Sequence, residues 1–165
     1  MTPPGTPSPP GGAVLLVRHA KAGSRGEWDG PDHRRPLSKK GKAQAARLAG
    51  QLGGRGVTRI LSSPYTRCVQ TVEPLAARLG LGVEESDALA EGAAEEDVAG
   101  LLASLAGETA VLCTHGDVIP TLLDRLARRD GLRLPPGYPC AKGSTWALHP
   151  DGGGRYTRAE YLPAP

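Results

Sequence analysis

The stretch AVLLVRHAKAG, residues 13–23, decides how the rest of the chain is read. Val14 to Val17 form a short unbroken apolar run that stops on Arg18 and His19. A continuous apolar run of this length suits a strand buried on both faces, as in a parallel sheet. In an open α/β sheet, ligands collect beyond the carboxyl ends of the parallel strands. A strand ending on a guanidinium and an imidazole therefore puts two polar, reactive groups on that rim.

Outward from this strand, helical and strand patterns alternate. The polar, basic loop KAGSRGEWDGPDHRRP leads to LSKKGKAQAARLAGQL, where Ser38 is placed to cap a helix whose inner face carries Ala45, Leu48 and Leu52. RILSS, residues 59–63, gives a second strand. It runs into PYTRCVQTVEPLAARLG, in which Pro64 suits the first helical turn. Cys68, Val72, Leu75 and Leu79 recur there at helical spacing, Pro74 predicts a kink near residues 70–74, and Gly80 is the expected stop. A short third strand is expected at 82–86, and Val98, Leu101, Leu102 and Leu105 mark a third helix. TAVLCTH, residues 109–115, is the next clear strand. Val118, Ile119, Leu122, Leu123 and Leu126 line a fourth helix, with Pro120 in its first turn. STWALHP and RYTRAEYL then close the chain as a strand pair around the turn DGGG. The pattern predicts a three-layer α/β/α sandwich with a mostly parallel central sheet.

Composition narrows the functional classes. A chain of 165 residues with 39% hydrophobic and 22% charged residues suits one domain, expected over 13–165. Residues 1–12, rich in Gly and Pro, read as a disordered tail. No apolar run approaches the roughly 18–20 residues that cross a bilayer, and the amino-terminal stretch lacks the basic start and apolar centre of a signal peptide. A cytoplasmic protein without a membrane partner is expected. Cys68, Cys113 and Cys140 lack the spacing of a disulfide framework or a structural zinc site, and Cys113-x-His115 offers too few ligands for a metal.

The net charge of +3 is unevenly spread. Residues 1–80 carry 13 Lys/Arg against 4 Asp/Glu, and residues 81–165 carry 7 against 13. A basic half suggests an anionic partner. Four tyrosines and two tryptophans are a thin supply of stacking residues for nucleic acid, so a small phosphorylated substrate fits better.

Three predicted strand ends carry notable groups: Arg18-His19, Ser62-Ser63 followed by Arg67, and His115. Singly, each has an ordinary structural explanation. Arg67 in a first helical turn is electrostatically odd, because cations are disfavoured at a helix amino terminus. A bound anion would remove the oddity, taking backbone N–H groups and the guanidinium together. A phosphoryl group needs an in-line nucleophile and positive donors for its equatorial oxygens. Neutral imidazole supplies the nucleophile near pH 7. His19 is then the candidate nucleophile, Arg18 and Arg67 the clamp, and His115 a further donor. This chemistry needs neither a metal nor another cofactor.

RHAKAG, LSKKGKAQA, SSPYTRCVQT and THGDV together resemble the histidine phosphatase (phosphoglycerate-mutase-like) superfamily, in the family's order and across roughly residues 13–120. Its small members include SixA-type phosphohistidine phosphatases. RRPLSKKGKAQA, SSPYTRCVQTVEPLA, HGDVIPTLL and KGSTW are more similar to the phosphatase half of actinobacterial MutT-type Nudix–phosphatase fusions. The residues before Val14 are too few for a Nudix domain. The resemblance implies a phosphohistidine on His19, with Arg18, Arg67 and His115 completing the pocket. It also implies an acid that protonates the leaving oxygen and then activates water. Glu91, within an acidic run, lies where many members carry a glutamate; Asp117 is the rival, with helix capping as its structural alternative.

Substrate contacts are expected from Lys21, Ser24, Arg34 and Arg35 in the loop after the first strand, and from Lys142 and Ser144 near the end. Trp28 in the same loop suits local packing more than base stacking. The expected function is metal-independent hydrolysis of a phosphomonoester, either a small metabolite or a nucleotide. A phosphohistidine-bearing protein is the alternative substrate, and a noncatalytic phosphate-binding module the alternative class.

Overall fold

The computed structural model describes residues 12–165; the expected tail lies outside these residues apart from Gly12. Six strands form one sheet in the order β3-β2-β4-β1-β5-β6. β1 (Val14–Arg18), β2 (Arg59–Ser62), β3 (Val83–Glu85) and β4 (Ala110–Thr114) pair in parallel. β5 (Thr145–Pro150) and β6 (Tyr156–Leu162) add an antiparallel edge beside β1. The four helices are α1 (Lys39–Leu52), α2 (Thr66–Leu79), α3 (Glu95–Ser104) and α4 (Val118–Asp130).

The three layers follow from the two-residue period of a strand. In β1, Leu15 and Val17 pack with Ile60, Val111 and Cys113 against Leu48, Leu52, Val72 and Leu75 of α1 and α2. Val14 and Leu16 face the other way, packing with Leu61, Ala110 and Leu112 against Val98 and Leu102 of α3 and Ile119 and Leu122 of α4. Both faces of the central strands are thus apolar, which is why their sequences read as unbroken runs. Burial of each such side chain contributes about 1.5–3 kcal/mol relative to exposure.

Local signals set most element ends. Ser38 caps α1 by accepting the Gly41 N–H at 3.1 Å. Gly80 stops α2 in the left-handed conformation, at φ 68°. α2 continues through Pro74, but its start departs from expectation: Pro64 lies ahead of the capping position, which Tyr65 occupies. Two 3-10 turns, Asp32–Arg34 and Asp87–Leu89, lie in the loop after β1 and just past the expected third strand. No helix among the described residues is long and apolar enough to cross a membrane.

α1 also braces the rim. The Lys21 carbonyl, three residues past β1, accepts both the Ser38 N–H at 3.0 Å and the Ser38 hydroxyl at 3.1 Å. Gly41 makes that approach possible, since a Cβ there would fall 1.9 Å from the Lys21 oxygen. Gly41→Ala should therefore lower unfolding stability by about 1–3 kcal/mol through overpacking, despite the roughly 1 kcal/mol gained in helix propensity. Chemical denaturation tests this; a stabilised variant would contradict the close approach.

Candidate active site

The site begins where the parallel strands end. Past the Arg18–Thr114 rung, the His19 amide donates to the Thr114 carbonyl at 3.0 Å. On the other side of β4, Ser63 N–H donates to the Cys113 carbonyl at 2.9 Å. β4 lies between β1 and β2, so His115 emerges between His19 and Ser63. The two imidazole rings lie 5.4 Å apart, centroid to centroid.

His19 is buried, and its Nδ1 lies 2.8 Å from the Ala20 carbonyl. A carbonyl only accepts, so Nδ1 carries the proton and Nε2 keeps a free lone pair. α2 fixes the same backbone: the Thr71 hydroxyl accepts the Ala20 N–H at 2.9 Å and donates to the Arg67 carbonyl at 2.7 Å. Burial pushes the His19 imidazole down to about 3, opposed by the bond to Ala20 and reinforced by His115, Arg67 and Arg18. The nucleophilic form is thereby held across the neutral range.

Both guanidiniums are tied down with part of each left unbonded. Arg18 donates through Nη1 to the Cys140 carbonyl at 2.7 Å, while its Nε is buried without a partner. Gly116 forms a flat cradle for this group, since a Cβ there would meet Arg18 Cζ at 2.6 Å. Arg67, whose side chain is 1% exposed, donates to the Asp32 carbonyl at 2.9 Å and to Asp32 Oδ2 at 3.1 Å. Its Nε is likewise buried and unpartnered. Asp32 also accepts from Arg35 Nε at 3.0 Å. Burial opposes ionisation of this carboxyl, but the bonds from Arg35 and Arg67 hold it below the usual carboxylate range. His115 Nε2 lies 2.9 Å from Ser63 Oγ, and the edge of the ring packs against Tyr65, centroids 4.7 Å apart. His115 Nδ1 is the third buried, unpartnered nitrogen at the site.

These groups line a cavity of about 430 Å³. Of the residues singled out from sequence, Arg18, His19, Ser24, Arg35, Arg67, Glu91, His115 and Lys142 lie on its wall. Glu91 reaches Arg25 at 3.3 Å and Arg67 at 3.6 Å. Burial, with Arg18, Arg35, Lys21 and Arg25 nearby, pushes the Lys142 ammonium below its ordinary value. Three expected residues are off the wall. Lys21 is exposed, its backbone strapped to Gln44 and Ser38 of the α1 segment. Arg34 is exposed on the 3-10 turn. Ser144 is buried and donates its hydroxyl to the Ala141 carbonyl, tightening the turn that presents Lys142. Asp117 does line the cavity, but it departs from the capping reading: it stands at the start of α4 with no side-chain cap bond and accepts the Gly92 N–H at 2.8 Å instead. Trp28 bonds locally, from Nε1 to the Pro31 carbonyl at 2.9 Å.

Sequence reasoning missed Asp32, which contacts Arg67 from 35 residues away, and the cradle at Gly116. Neither has a local signature. Among the described residues, no group of three or more His, Cys, Asp and Glu is placed to hold a metal ion.

Comparison with known proteins bears on the family and the fold. The family model of the histidine phosphatase superfamily, branch 1, matches residues 14–101. A curated relative from Mycolicibacterium smegmatis, named 8-oxo-(d)GTP phosphatase, is 39% identical over 157 residues, covering 92% of this chain and 48% of that protein. The chain thus spans about half the length of that relative. A solved structure provisionally assigned as the phosphohistidine phosphatase SixA of Agrobacterium tumefaciens superposes with a TM-score of 0.71 at 27% identity, covering 92% of this chain and 97% of its own. A similarly assigned SixA from Nakamurella multipartitia gives 0.72 at 22% identity, covering 94% and 96%, a likeness of fold.

The depressed basicity of His19 has a measurable consequence. In an NMR titration of the ligand-free protein, the His19 ring should stay unprotonated until the pH approaches about 3. The unfolded chain takes up that proton near the ordinary 6.5, so it binds more protons than the folded chain between these values. His19 therefore withdraws stability as pH falls through this window. A His19 midpoint near 6.5 in the folded protein would contradict the burial argument.

Proposed function

The chain belongs to the histidine phosphatase superfamily, branch 1, and from that premise we propose that it hydrolyses phosphomonoesters through a phosphohistidine on His19. The observation that carries the reading is the convergence of three buried, unpartnered nitrogens, Arg18 Nε, Arg67 Nε and His115 Nδ1, around an imidazole whose Nε2 is free. Buried polar groups are ordinarily paired, and this set matches the oxygens of a phosphoryl group.

In the proposed reaction, the Nε2 lone pair of His19 attacks phosphorus in line with the ester oxygen. The N–P bond forms as the P–O bond breaks, and the departing oxygen takes a proton from the Glu91 carboxyl. Arg18, Arg67 and His115 hold the equatorial oxygens, where charge accumulates. Water then attacks phosphorus and gives its proton to Glu91. The N–P bond breaks, the electron pair returns to Nε2, and inorganic phosphate leaves. Asp117 stands on the same wall as the second candidate for the acid.

For substrate, a small phosphorylated metabolite or nucleotide comes first, supported by the 39% identity to an 8-oxo-(d)GTP phosphatase. Ser24, Arg35 and Lys142 on the wall, with Arg25, would contact its outer part. A protein phosphohistidine is the second reading, supported by the 27% identity to a SixA assignment. Work in the cytoplasm accords with three cysteines that all remain free thiols.

The test is phosphate release from monoesters, nucleotides and phosphohistidine with EDTA present. Release should persist in EDTA and fall by at least about 10³-fold in His19→Ala. Loss in EDTA, or turnover that survives the substitution, would refute the mechanism. Phosphate binding without release from any substrate would instead mark a noncatalytic binding module.

A further inference from the structure

Ser63 directly follows β2 and is fully buried, yet the chemistry above gives it no part. Its hydroxyl oxygen accepts the Tyr65 N–H at 3.2 Å and lies 2.9 Å from His115 Nε2. A buried hydroxyl proton needs an acceptor; the His115 imidazole nitrogen is the strong one within reach, and the neighbouring Cys68 sulfur is a weak one. If Nε2 accepts, the ring proton of the neutral form resides on Nδ1.

The other end of the ring leads to the same tautomer independently. Nδ1 is buried without a protein partner, on a ring that lines the cavity. An N–H at that position attracts an anionic oxygen, whereas a bare lone pair repels it. The opposite tautomer, with Nε2–H donating to Ser63 or to the Cys68 sulfur 3.5 Å away, would turn a lone pair toward the ligand and leave the Ser63 proton only the weak Cys68 sulfur as acceptor.

On these grounds we propose that Ser63 is a positioning residue that locks His115 as an Nδ1–H donor toward the substrate's phosphoryl oxygen. The role of that donor rests on the phosphatase reading. The backbone supports the arrangement, because the Ser63 amide bonds to Cys113, two residues before His115 on β4. One parallel rung thus registers hydroxyl against imidazole. The Tyr65 ring, packed T-shaped against His115, holds the plane of the imidazole.

Long-range proton–nitrogen correlation on the whole, histidine-labelled chain at mildly alkaline pH reads the tautomer directly. In the wild type, His115 Nε2 should show the shift of an acceptor nitrogen and Nδ1 that of a protonated one. In Ser63→Ala the two nitrogens should move toward averaged shifts, with His19 unchanged. kcat should fall about tenfold or more, the scale of losses when an orienting partner is removed, and Ser63→Thr, which keeps a hydroxyl, should recover much of it. Protonated Nε2 in the wild type would overturn the proposal even if no variant folds. So would a folded Ser63→Ala that keeps both tautomer and kcat. A wild type inactive on every substrate would defeat the phosphatase reading and leave the tautomer assignment standing.

Discussion

The His19 amide bonded to the Thr114 carbonyl is the rung that continues the β1–β4 ladder to its end, and the rest of the pocket is built from it. Side chains alternate across a strand, so a one-residue slip in this pairing would turn the apolar residues of β1 to the opposite faces. Leu15 and Val17 would lose α1 and α2, and Val14 and Leu16 would lose α3 and α4. The two cores that hold the register also carry His19 and His115 to the same height on the rim. Packing and site geometry are therefore specified together.

Electrostatics at the rim oppose that packing. Two guanidiniums and two imidazoles sit against one another with little solvent, and burial of charge is costly unless it is compensated. Arg67 is compensated by Asp32 and, more distantly, by Glu91. Among the described residues, Arg18 has the Cys140 carbonyl, on a face that Gly116 leaves open to accommodate it. His19 gives way by losing its proton, which makes it a nucleophile. An anionic phosphoryl group satisfies the remaining donors at once, and charge that builds on its oxygens meets donors already oriented to receive it.

The elements of this fold were legible where the information was local. Apolar runs gave the buried strands, Ser38 and Gly80 marked helix ends, and three strand ends announced the polar groups of the rim. What stayed hidden depended on contacts distant in sequence. Asp32 looks like any loop carboxylate until α2 brings Arg67 to it. Lys21 is two residues from His19, but bonds to α1 leave its side chain in solvent; nearness in sequence does not fix direction. Ser144 serves the turn beneath Lys142 rather than the cavity. Asp117 stands where a cap belongs, yet its carboxylate finds the Gly92 amide across the loop. Ser63 was visible as a strand end, while its partner on another strand was not.

The covalent intermediate is the central claim and can be trapped. The wild-type chain would be mixed with a phosphomonoester it turns over, quenched in alkali where phosphohistidine survives, and mapped by peptide mass spectrometry. One phosphoryl group on the His19 imidazole, appearing within a turnover and discharged on standing, is the predicted result. Full turnover with no adduct on His19, or with the adduct on another residue, would contradict the account.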